Sequence, residues 1–149
     1  MAPTHSQMRE LDTLIHRHVL GWEKFRDQPE LHNGRLHTEL WRRHRPGDTP
    51  PEWAAWEFCN EPLPYSADIA LAFQVVQTMS ANGWSVEMKC RHSADSKWRQ
   101  DWQVSFVDKD GELGYFEDTK LPLAICNAAL KAITALSGRL APQEGFSVL

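Results

Sequence analysis

Apolar residues recur at helical spacing in three stretches of the chain and alternate with polar residues in three others. Leu11, Leu14, Ile15, His18 and Val19 share one face of a helix predicted over residues 8–20, with Trp22 one turn on and Gly21 at the stop. After Tyr65, Ser66 is placed as an N-cap, and Asp68 favours the positive end of the helix dipole. Ile69, Ala72, Phe73, Val76 and Met79 then form one helical face that Asn82-Gly83 closes. The third helix enters near Pro122 behind a cap at Asp118 or Thr119. Cys126, Ala129, Leu130, Ile133 and Leu136 are its buried stripe and Gly138 its stop.

The strand signals lie between the second and third helices. Trp84, Val86, Met88 and Cys90 alternate with Ser85, Glu87, Lys89 and Arg91, which predicts a strand with one covered face. Trp102, Val104 and Phe106 repeat the pattern, and Asp108-Lys109-Asp110-Gly111 supplies a hairpin turn. Leu113, Tyr115 and Phe116 make a third strand, with Gly114 read as a bulge. Residues 26–64 resist this treatment. They hold six of the nine prolines and two turn dipeptides, so an irregular arm is expected, with short strands around Trp41 and through Trp53–Cys59. Helix, arm, helix, three-strand meander and helix make a viable α+β core in one domain spanning residues 1–149.

Composition narrows the class. Seven Trp and six Phe supply the apolar surface that disordered chains lack. The net charge is −4 and neither half is basic, so no nucleic-acid stripe is present and direct nucleic-acid binding is not expected. Arg42-Arg43-His44-Arg45 reads as a solvated turn. An odd count of three cysteines without CxxC spacing points to a reducing compartment. With no signal peptide and no run near 20 apolar residues, a cytoplasmic location and no membrane contact are expected.

The blocks HVLGWEKF (18–25), LPYSADIALAFQVVQTM (63–79), GWSVEM (83–88), WQVSF (102–106) and LPLAICNAALKA (121–132) resemble the successive motifs of the phage ABA sandwich domain family. The resemblance covers about residues 10–136. It implies an α/β/α sandwich, with an antiparallel sheet of three to four strands and helices on its faces, in a short accessory protein of phages or prophages. It transfers no catalytic residues.

The residues themselves offer little chemistry. His16 and His18 point about 200° apart on a helix, and His18 reads as a satisfied interior histidine. His32, His37 and His44 match no zinc spacing, and Cys90-Arg91-His92 lacks a second pair. Ser66 is outside any GxSxG, Cys126 falls on a buried helical face, and no phosphate-cradling glycine loop occurs. No catalytic role, cofactor or metal is therefore assigned.

Recognition is better motivated. Trp41, Trp53, Trp56 and Tyr65 put unusual aromatic surface in or beside the arm, and Asp108, Asp110 and Glu112 head an acidic hairpin. These seven residues are the candidate binding set. The expectation is a non-enzymatic accessory protein that binds a host protein, with bacterial immunity, such as a CRISPR effector, as the target. The alternative is a nucleotide-signal binder, its pocket lined by Trp41, Trp53, Trp56 and Tyr65 and its phosphates met by Arg42, Arg43 or Arg45. A homodimer through exposed aromatics or a sheet edge is also expected.

Overall fold

The computed structural model describes residues 3–26, 30–32, 35–37, 39–44, 56–92, 100–111 and 113–140. Helix α1 (His5–His18) begins three residues before the apolar pattern because Thr4 and Gln7 close a capping box. The Thr4 hydroxyl accepts from the Gln7 N–H at 3.1 Å, and the Gln7 side-chain carbonyl accepts from the Thr4 N–H at 2.9 Å. Gly21 takes a φ of 78° beyond the C-terminus. The buried face is Leu11, Asp12, Ile15 and His16. The interior histidine is thus His16 rather than His18. The i, i+4 pairs Leu11–Ile15 and Asp12–His16 centre the stripe, and His18 falls at its edge.

Helix α2 (Ile69–Ala81) is capped by Asp68, whose Oδ1 accepts from the Leu71 N–H at 3.1 Å. Ser66 is not the cap: it is buried in the turn before the helix, where its N–H donates to Asp12 Oδ1 at 2.8 Å. The buried residues of α2 are Ala72, Val75 and Met79, while Ile69 and Phe73 are exposed. The apolar set therefore straddles two faces, and the buried one is the face with the small Ala72. Asp68→Ala should lower stability by about 1 kcal/mol, read from urea unfolding, because it frees an N-terminal amide of α2.

Strands β6 (Ser85–His92), β7 (Gln100–Val107) and β8 (Leu113–Asp118) form the expected antiparallel meander, in the order β6-β7-β8. Val86 pairs with Phe106, Met88 with Val104, Val104 with Phe116 and Phe106 with Gly114. That register is continuous, so Gly114 is not a bulge. It is buried where helix α3 (Leu121–Leu140) crosses the sheet, and a Cβ built there would lie 2.3 Å from the Ala128 carbonyl oxygen. Along α3, Ile125, Cys126, Ala128, Ala129 and Ala132 are fully buried, and the alanines are what permit this approach. The helix runs through Gly138 instead of stopping there.

The arm is more regular than its prolines suggest. It contains β1 (Glu23–Arg26), β2 (Glu30–His32), β3 (Arg35–His37), β4 (Leu40–His44) and β5 (Trp56–Cys59). β1, β4 and β5 form a second antiparallel sheet in the order β1-β4-β5, and β2 pairs with β3. The result is an α+β sandwich of three helices and two three-stranded antiparallel sheets. Its core joins Leu11, Ile15, Val75, Val104, Phe106 and Ile125 to Trp22 and Trp41 from the arm side. Among the described residues, no helix is long and apolar enough to cross a membrane.

Candidate functional site

The arm sheet has two chemically different faces, and side-chain alternation assigns each residue to one of them. Trp41, Arg43, Glu57 and Cys59 turn inward, with Trp41 opposite Cys59 and Arg43 opposite Glu57. Glu23, Phe25, Arg42, His44, Trp56 and Phe58 turn outward, with Arg42 opposite Phe58 and His44 opposite Trp56.

The inner face closes on His16. Trp22 stacks on its ring at 4.9 Å between centroids, Trp41 meets it edge-on at 5.1 Å, and the Tyr65 ring is 5.7 Å away. The His16 Nδ1 and the Tyr65 hydroxyl share a hydrogen bond of 2.7 Å, and Nε2 has no partner among the described residues. Burial, assisted by the nearby positive charge of Arg43, pushes the His16 pKa down to about 4. Burial also raises the Tyr65 hydroxyl and the Cys126 thiol, so neither is a nucleophile near neutral pH. Arg43 is fully engaged: it pairs with Glu57, donates to the Leu20 carbonyl at 3.2 Å and lies over the Trp22 ring. This centre is a structural plug: His16, Trp41 and Tyr65 are fully buried, and the partly exposed Arg43–Glu57 pair closes its rim.

The outer face is the opposite. Arg42 spans it, with its guanidinium 4.7 Å from the Phe25 ring centre and 4.2 Å from that of Trp56 while it pairs with Glu23. Phe25 and Phe58 lie 6.1 Å apart, and His44 lies 3.9 Å from Trp56. Phe58 is 58% exposed and Phe25 41%, far more than isolated folding of this sheet would favour. Four rings around one arginine form a continuous accessible surface.

The model of the phage ABA sandwich domain matches residues 13–130, well over half of the chain. The chain belongs to that family. No curated protein and no solved structure matches it.

That geometry divides the candidate binding set. Trp41 and Tyr65 are corrected from recognition residues to core residues, at 0% and 1% exposure, because alternation turns Trp41 inward and the turn before α2 buries Tyr65. Trp56 is on the outer face. Trp53 and Glu112 lie outside the described residues, as does Arg45. The nucleotide pocket expected between arm and sheet is not formed by the residues described. Trp41 and Tyr65 are interior, and Arg42 and Arg43 point to opposite faces, each paired with a glutamate.

The acids of the hairpin also separate. Asp108 accepts from the Asp110 N–H at 2.8 Å within the turn, and Asp110 is exposed. Glu117 is on the solvent face of β8, in reach of Arg91 at 3.5 Å and of the Tyr115 hydroxyl at 3.1 Å. Asp118 turns to the other face. Among the described residues no group of three or more His, Cys, Asp or Glu could hold a metal ion. Phe25, Arg42 and Phe58 were absent from the sequence-derived set. Arg42 and Phe58 lie in the alternating runs LWRRH and WEFC and Phe25 in EKFR, short segments whose signal the prolines nearby obscured.

Proposed function

We propose that this ABA sandwich protein is a non-enzymatic phage or prophage accessory protein that binds a host protein through the outer face of its arm sheet. The observation that supports this reading is the exposed Phe25–Arg42–Trp56–Phe58 cluster. Aromatic residues and arginine dominate the energetic centres of protein interfaces. They bury large area with few rotatable bonds, and a guanidinium on a ring keeps its hydrogen bonds available. The Glu23 pairing leaves the face close to neutral, which suits an apolar protein patch better than a phosphate backbone. A component of bacterial immunity, such as a CRISPR effector, is the target class that a phage accessory protein would engage.

A tagged pull-down from bacterial lysate with mass spectrometry tests this reading. A single stoichiometric host protein is expected, with recovery reduced about tenfold or more by Phe58→Ser with Phe25→Ser. Both residues are exposed, so the variant should unfold at nearly the wild-type temperature. Unchanged capture by that variant, or a preparation with no stoichiometric partner, would overturn the proposal.

A further inference from the structure

A second site lies at the N-terminal end of α1, and none of its described lining residues belongs to the arm sheet. A cavity of about 390 Å³ opens where the first turns of α1 and α3 meet the end of β8. This is within the size range of small-molecule pockets. Met8, Leu11, Phe116 and Leu123 supply apolar walls. Three polar side chains, Gln7, Asp118 and Asn127, complete the lining, and each has part of its hydrogen-bonding capacity already used.

The uncommitted atoms define the ligand. Asn127 donates its Nδ2 to the Leu123 carbonyl at 3.0 Å, which leaves its Oδ1 as an acceptor. Asp118 uses Oδ1 to accept from the Lys120 N–H at 2.9 Å, and its second carboxylate oxygen is uncommitted among the described residues. The Gln7 side-chain carbonyl accepts from the Thr4 N–H, which fixes this side chain at the cavity rim. Among the described residues, the lining contains no Lys, Arg or His. Helix starts nearby carry about half a positive charge each, but the Thr4–Gln7 box and Asp118 already cover amides there. With those amides covered, the one formal charge in the described lining is the Asp118 carboxylate.

We propose that this cavity binds a small organic cation, an apolar body carrying a protonated amine. The body lies against Met8, Leu11, Phe116 and Leu123, and the ammonium is held by Asp118 and the Asn127 carbonyl. The site is independent of the arm sheet, so either proposal can fail without the other.

The probe is 2-phenylethylammonium, titrated into the full chain and followed by amide chemical shifts, with 2-phenylethanol and phenylacetate as neutral and anionic isosteres. Saturable shifts at Gln7, Asp118 and Asn127 below about 10 mM are expected, a normal range for a fragment. Phenylacetate should bind at least about tenfold more weakly, since it brings a like charge to Asp118. Asp118→Asn should weaken the ammonium about tenfold and leave the alcohol unchanged, while Met8→Trp should abolish both by filling the cavity. Absence of saturation, shifts confined to other residues, or equal affinity for phenylacetate would overturn the proposal. So would equal ammonium affinity in Asp118→Asn or full binding in Met8→Trp.

Discussion

Gly114→Ala is expected to be the most damaging single methyl group that can be added to this protein. The added carbon would lie 2.3 Å from the Ala128 carbonyl oxygen and 2.6 Å from both the Ala132 Cβ and the Ala132 nitrogen. Two of these three atoms are helix backbone, so no rotamer change relieves the clash. Either α3 lifts off β8 or β8 leaves its register with β7. Lifting α3 also opens the contacts that Ala128, Ala129 and Ala132 make at full burial. Overpacking of a core commonly costs about 1–3 kcal/mol, and an immovable backbone neighbour places this case at or above the upper end. About 3 kcal/mol corresponds to a loss of roughly 10 °C in Tm for a domain of this size. Gly111 is the control. Its φ of +83° strains any L residue, but a Cβ there meets nothing within 4 Å, so Gly111→Ala should cost only about 1 kcal/mol. Thermal unfolding of the two variants side by side decides the matter. If Gly114→Ala melts no lower than Gly111→Ala, the close helix–sheet approach is wrong.

The same residue shows where sequence reading stops. Alternation in Val86–Cys90, Trp102–Phe106 and Leu113–Phe116 gave the meander, because one covered face demands that period. A glycine inside a strand has several uses, and a bulge and a close helix approach leave the same letter. Only the position of α3 over β8 separates them. Helix α1 was legible for a related reason: its stripe is wide enough to be counted from either edge. That width also hid which histidine is interior, since His16 and His18 flank the same apolar residues. The decision rests on Tyr65, Trp22 and Trp41, which reach His16 from distant parts of the chain.

The arm was the least legible part for a different reason. Six prolines between Pro29 and Pro64 signal turns, and the strands between them are three to five residues long. Strands that short carry only one or two alternations, too few to assign faces. Aromatic content alone therefore grouped Trp41 with Trp56, although they occupy opposite faces of one sheet. Once the register is fixed, a single-residue step separates plug from surface, as Trp41 and Arg42 show. The outward set then gains Phe25, Arg42 and Phe58, and the candidate site becomes a coherent patch in place of a list of tryptophans.

The inward set carries the second large expected effect, a fall in stability on mild acidification that belongs to His16. In the unfolded chain this imidazole takes up a proton near its ordinary value of 6.5, whereas in the folded protein it stays neutral down to about 4. Its folded value lies below its unfolded one, so its contribution is complete above about pH 6.5 and is lost as the pH falls toward 4. The geometry supports the direction: a second ring N–H at Nε2 would find no acceptor, and Arg43 adds like charge. The slope approaches about 1.4 kcal/mol per pH unit where only the unfolded state is protonated. Asp12, one turn away, works the other way. Burial raises its carboxyl above the ordinary 3.8, so its contribution is greatest at low pH and is lost as pH rises through its folded value. His16 alone would lose up to about 3 kcal/mol between pH 6.5 and 4, and Asp12 offsets part of that loss. His18, also shifted down by burial, adds a smaller slope of the same sign. Urea unfolding across this range in wild type and His16→Leu provides the measurement. The variant should start lower at pH 7, because the Tyr65 hydroxyl loses its partner, and then hold nearly level on acidification. Tyr65→Phe should keep the wild-type slope, since the imidazole remains buried. A His16→Leu profile as steep as wild type would assign the acid sensitivity to another group and remove the buried histidine from the account of stability.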